Sequence, residues 1–122
     1  MGFRVLIVDD ALFMRNMLRD ILTGAGFEVI GEASTGKEAV GKYRSLQPDL
    51  VTMDIVMPEC SGIEALGEIM RDNPQARVVM CSALGQEALV LQAVQEGARD
   101  FIVKPFKEDK VLEIVRRITG KA

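Results

Sequence analysis

Residues 4 to 15 read RVLIVDDALFMR. Val5, Leu6, Ile7 and Val8 form an unbroken apolar run, the pattern of a strand covered on both faces. The run ends on two adjacent carboxylates, Asp9 and Asp10, which repel each other wherever water is scarce. A chain that closes a buried strand in this way must offset that repulsion with groups brought in from elsewhere.

Four further short apolar runs follow: FEVIGEA at 27 to 33, LVTM at 50 to 53, VVMC at 78 to 81 and FIV at 101 to 103. Helical spacings alternate with them, so the expected fold is α/β, a single-domain (βα)5 arrangement with a parallel five-stranded sheet covered by helices on both sides. Only the second run alternates polar with apolar residues, through Glu28 and Glu32, which predicts an edge strand. Met14, Met17, Leu18, Ile21, Leu22 and Ala25 mark one buried helix face that stops at Gly24 to Gly26. A second helix follows from Ala39, Val40 and Tyr43, a third from Ile63, Leu66 and Met70, and a last one from Val111, Leu112, Ile114, Val115 and Ile118. Thr35-x-x-Glu38 and Ser61-x-x-Glu64 have the spacing of capping boxes. The fourth helix, near 86 to 96, carries Ala88, Leu89, Val90, Leu91, Ala93 and Val94, a wider apolar arc than one sheet-facing stripe needs. Either it is buried on more than one side or part of the arc is kept for a partner.

Composition narrows the chemistry. With 122 residues, 48% of them hydrophobic and 27% charged, the chain can bury a core without disulfides or a structural metal. We expect one domain over residues 1–122 with no output module. A net charge of −3 gives no electrostatic ground for binding nucleic acid or an anionic membrane. Arg116, Arg117 and Lys121 suit the C-terminal end of a last helix. No stretch has the order of a signal peptide or the length of a membrane span, so a cytoplasmic protein is expected. Cys60 and Cys81 fit neither a C-x-x-C pair nor a zinc spacing and read as reduced thiols, Cys81 in the core. The chain has no histidine, which removes Ser-His-Asp and Cys-His catalysis and the common zinc sites.

Four of the five runs end in polar groups: Asp9 and Asp10 after the first, Asp54 after the third, Ser82 after the fourth and Lys104 after the fifth. The carboxyl ends of the strands form the ligand crevice of an open α/β sheet. Three carboxylates converging there make a seat for a hard divalent cation, Mg²⁺ being the natural candidate. Lys104 and Ser82 then suit a phosphoryl group, the one by charge and the other by a hydrogen bond. Read alone, Asp10 is equally an N-cap for the first helix.

The acidic pair in VDD, the M-D-x-x-M-P-x-x-x-G stretch from Met53 to Gly62 and K-P-F at 104 to 106 together resemble the receiver domain of bacterial response regulators, in particular the stand-alone chemotaxis, or CheY-like, type. The resemblance runs from Val5 into the last helix. It implies a flavodoxin-like, doubly wound sheet in the order 2-1-3-4-5, for which CheY is itself a standard example. It further implies that Asp54 is the phosphoacceptor, charged from a phosphohistidine on a CheA-like sensor histidine kinase. Mg²⁺ would be held by Asp9, Asp10, Asp54 and the backbone carbonyl of Val56. Ser82, Ala83 and Lys104 would bind the phosphoryl group, and Phe101 would turn inward as part of a switch that alters the face of the fourth helix, fifth strand and fifth helix. A monomer is implied, with an output target such as a flagellar motor switch protein and a phosphatase among its partners. The alternative role is a phosphorelay intermediate that passes the group to a histidine phosphotransfer protein. Phe101 stands where tyrosine is common in such proteins. Val56 and Leu84 are apolar where polar groups often place the hydrolytic water, so slow loss of the phosphoryl group is expected.

Other readings fit less well. Gly31 to Lys37, GEASTGK, has the spacing of a phosphate loop, but Glu38 stands where a Ser or Thr should touch Mg²⁺. A haloacid-dehalogenase-type aspartyl phosphatase needs a second Asp at position 56, which is Val56. A flavodoxin-like flavin carrier needs hydroxyls and amides in the first loop, where Asp9 and Asp10 stand.

Overall fold

The computed structural model describes residues 3–57 and 61–120. The expectations for Cys60, for Pro58 in the motif and for Lys121 lie outside the described residues. Strands and helices alternate along the chain: β1 (Arg4–Val8), α1 (Leu12–Gly24), β2 (Glu28–Ala33), α2 (Gly36–Leu46), β3 (Leu50–Asp54), α3 (Gly62–Asp72), β4 (Val78–Ser82), α4 (Glu87–Gln95), β5 (Asp100–Val103) and α5 (Glu108–Thr119). All strand pairs are parallel, and the sheet order is β2-β1-β3-β4-β5. β2 is an edge strand, as its alternation requires. The other edge is β5, whose exposed residues Phe101 and Val103 are apolar and gave no such signal.

The period of two along each strand divides the core. Val5 and Ile7 of β1 face α1 and α5, in a cluster with Leu18, Leu22, Ile102 and Val115. Leu6 and Val8 face the other side, with Val40, Tyr43, Leu66 and Ile69 of α2 and α3. This two-sided burial explains why β1, β3 and β4 read as continuous apolar runs. The chain leaves α1 through Gly26, at φ 91°, a backbone region that favours glycine.

Helix starts differ in detail from the sequence reading. Ser61 and Glu64 form the full reciprocal capping box of α3. At α2 only half of the box exists: Thr35 accepts from the Glu38 amide, but the Glu38 carboxylate accepts from Ser34 N and Oγ instead of from Thr35 N. The same contacts explain why Gly31 to Lys37 is no phosphate cradle, because the Ser34 amide is already claimed by an acid. In α4 only Ala93 is fully buried, while Leu91 and Val94 are exposed. The open question about its arc is thus resolved towards an uncovered face.

Candidate functional site

The strand order reverses between β1 and β3, the place where an open α/β sheet forms its crevice. Asp54 is the last residue of β3 and is only 6% exposed. The residue after it is tied to the start of α3: Gly62 N donates to the Ile55 carbonyl at 2.8 Å. A Cβ on Gly62 would lie 2.0 Å from the Asp54 carbonyl oxygen. Glycine is therefore what lets α3 start against the backbone of Asp54.

Asp9, 3% exposed, is held on every side. Its amide donates to Ala33 O at 3.0 Å. Its Oδ1 accepts from Ala11 N at 2.9 Å and its Oδ2 lies 2.8 Å from Lys104 Nζ. Its carbonyl accepts from Arg15 Nη1 at 2.7 Å. Asp10 is exposed. It is not the N-cap of α1: Ala11 occupies that position in an extended conformation, with no side-chain cap. The repulsion between the adjacent acids is thus eased by sending one into solvent and giving the other a lysine.

Lys104 Nζ also lies 3.3 Å from Asp54 Oδ1, so it bridges the two buried acids. Its amide donates to Ser82 O at 2.7 Å, which anchors the end of β5 to β4. The Lys104–Pro105 bond is cis. Burial and the field of Asp9 push the Asp54 carboxyl from the ordinary aspartate range up to about 6, against the pull of Lys104. Burial works to lower the Lys104 pKa but is outweighed by the bond to Asp9 and the charges of Asp54 and Asp9, so the ammonium is held above the ordinary lysine value. Burial pushes the Cys81 thiol upward, as expected of an inert core residue.

One carboxylate oxygen from each of Asp9, Asp10 and Asp54 lies within 4.8 Å of the others. Hard oxygen donors, net negative charge and one solvent-facing side suit a small divalent cation. Val56 follows with its side chain exposed. Ser82 is buried at the end of β4. The Ala83 amide is engaged by Gln86 Oε1 at 2.7 Å. Phe101 is 39% exposed on β5 and lines an apolar groove with Leu91, Val94 and Val103, which Ser82 and Ala83 also line. Gln86 and Arg15 escaped the sequence reading. Each occupies a polar helix position that looks solvated, and only the fold brings it to the strand ends.

A family profile described as the response regulator receiver domain matches residues 5–116. The chain belongs to this family. This receiver domain is 58% identical to the chemotaxis protein CheY of Thermotoga maritima over 119 residues, covering 98% of this chain and 99% of that one. It is also 58% identical to CheY of Bacillus subtilis, covering 96% and 98% respectively. Among solved structures, it superposes on a chain of the CheX-CheY-BeF3-Mg²⁺ complex from Borrelia burgdorferi with a TM-score of 0.91 at 47% identity, over 95% of this chain and 88% of that chain. It is thus a CheY-like receiver domain, a chemotaxis response regulator. No helix among the described residues is long and apolar enough to cross a membrane.

Proposed function

We propose that this receiver domain takes a phosphoryl group on Asp54 from the phosphohistidine of a CheA-like kinase and thereby resets its contacts with a chemotaxis target, such as a flagellar motor switch protein. The supporting observation is a buried carboxylate at the sheet's switch point, flanked by two more acids and an ammonium. In the reaction an Asp54 oxygen forms a bond to phosphorus while the donor's P–N bond breaks, and the donor imidazole keeps that electron pair. The imidazole comes with the partner because this chain has no histidine. With its pKa near 6, Asp54 is ionised and nucleophilic at neutral pH.

Asp9, Asp10, Asp54 and the Val56 carbonyl would hold Mg²⁺. When bound, that ion supplies neutralisation of the charge shared by the carboxylates and phosphoryl oxygens. Lys104 balances the charge that arrives on Asp54, and the Ser82 hydroxyl donates to a phosphoryl oxygen. The Ala83 amide can donate as well once it exchanges Gln86 Oε1 for that oxygen. Val56 and Leu84, two residues after Asp54 and Ser82, are exposed and apolar and so offer no side-chain hydrogen bond to an attacking water, which supports a long-lived phosphoryl group and no turnover of an external substrate.

Acetyl phosphate with Mg²⁺ should add one phosphoryl mass to the wild-type chain, removable by omitting the metal, and none to Asp54→Ala. Equal labelling of the variant would overturn the assignment.

A further inference from the structure

The β1–α1 junction carries Asp9 and Asp10, yet α1 has neither a side-chain N-cap nor an acidic residue in its first turn to secure it. The junction is held from β2 instead. Asp9 N donates to Ala33 O. Arg15 spans the gap: Nη1 donates to the Asp9 carbonyl at 2.7 Å and Nε to Glu32 Oε1 at 2.9 Å. The Arg15 and Glu32 side chains are 16% and 21% exposed, so this bridge is partly shielded from water. Glu32 is fixed in turn, its other oxygen taking Arg19 and its carbonyl accepting from Lys42. These contacts hold the Glu32 carboxylate below the usual range, against its desolvation, through the bonds to Arg19 and Arg15. By contrast, the exposed Asp10 carboxylate is held by no described residue, so its direction follows the peptide between Asp9 and Asp10.

We infer that Arg15 is a positioning residue for the divalent-cation seat: by tying the Asp9 carbonyl to Glu32 of the edge strand, it sets the peptide that aims Asp9 and Asp10 at Asp54. This rests on the reading of the three acids as that seat. Coulomb's law alone predicts the opposite effect of removing Arg15, because deleting a positive charge beside a cation seat should strengthen cation binding. Positioning predicts weaker binding, as when an outer partner of a metal ligand is lost. The sign therefore separates the two roles. A lysine cannot replace the arginine fully, since one ammonium reaches the carbonyl or Glu32 but lacks the fork that spans both.

The test is calorimetric titration of the full chain with MgCl2, without any phosphodonor. Arg15→Met should weaken Mg²⁺ binding about tenfold, with Arg15→Lys intermediate. Arg19→Met removes an equal charge from the same glutamate without touching Asp9, and should stay within about twofold of wild type. Binding by Arg15→Met that is unchanged or tighter overturns the inference. If Arg15→Met does not fold, Arg15→Lys alone serves, because it keeps the charge and removes only the fork: weaker Mg²⁺ binding than wild type is expected, and wild-type affinity overturns the inference. Failure of the underlying reading looks different: wild type would bind no Mg²⁺, or Asp9→Asn and Asp10→Asn would bind it as wild type does.

Discussion

Asp54 resists its own ionisation, and that has a thermodynamic signature. Its pKa is raised to about 6 by burial and the neighbouring Asp9. The folded chain therefore binds this proton more tightly than the unfolded chain. Stability from this group is fully present below the ordinary aspartate pKa and is lost as pH rises through about 6. Above that, the ionised carboxylate costs on the order of 3 kcal/mol, similar to truncating one buried leucine. In metal-free protein, Asp54→Asn should gain on the order of 2 kcal/mol over wild type near pH 8, and the gain should vanish towards pH 4. Urea denaturation across this range measures it, and added Mg²⁺ should narrow the gap by stabilising wild type. Thr52 lies two residues before Asp54, is 1% exposed and leaves its hydroxyl oxygen without a hydrogen-bond partner among the described residues. Thr52→Val keeps the shape and removes the unmet polar group. It should stabilise the chain by about 1 kcal/mol in the same assay.

Two elements show how local structure serves the site. The start of α3 depends on Gly62, where a Cβ would meet the Asp54 carbonyl oxygen at 2.0 Å, its carbon at 2.9 Å and Ile55 Cα at 3.0 Å. These are backbone atoms of Asp54 and Ile55, so they cannot rotate away. Gly62→Ala should cost about 3 kcal/mol in denaturant unfolding and reduce labelling by acetyl phosphate as well. Wild-type stability with wild-type labelling would show that the Asp54–Ile55 backbone is more compliant than these contacts imply. Helix α4 is the opposite case. It buries only Ala93 fully, and the Gln86 carboxamide before it caps the Ala83 amide, so the β4–α4 junction is held by few contacts.

For the molecule as a whole, the question is how a charge at one end of the sheet reaches a partner. Lys104 contacts both acids, and its amide is bonded to Ser82. Phe101 and Val103 lie on the short strand β5 just before it and form, with Leu91 and Val94, an apolar groove of about 390 Å³. Movement of the Lys104 and Ser82 ends on phosphorylation would therefore be felt directly in this groove. Leu91 is 62% exposed, so Leu91→Lys should change unfolding stability by less than about 0.5 kcal/mol. The same change should leave acetyl phosphate labelling intact and weaken target binding in a pull-down or titration. A large stability loss would instead mean that the arc packs inward.

The sequence by itself determined the alternation of strands and helices, because burial on both faces demands continuous apolar runs and helices demand their own period. It also placed Asp9, Asp10, Asp54, Ser82 and Lys104 at strand ends, the positions that a parallel sheet gathers into one crevice. The roles proposed for Val56, Ala83 and Phe101 came only from family resemblance. The tertiary structure alone decided that Asp9 is buried while Asp10 faces water, that Lys104 bridges two acids, that Arg15 reaches back to the Asp9 carbonyl and that the Ala83 amide is taken by Gln86. Each of these joins residues on different elements or on opposite sides of a turn. Hydrophobic periodicity records which face of an element is covered, but not which polar side chains meet across the gap between elements.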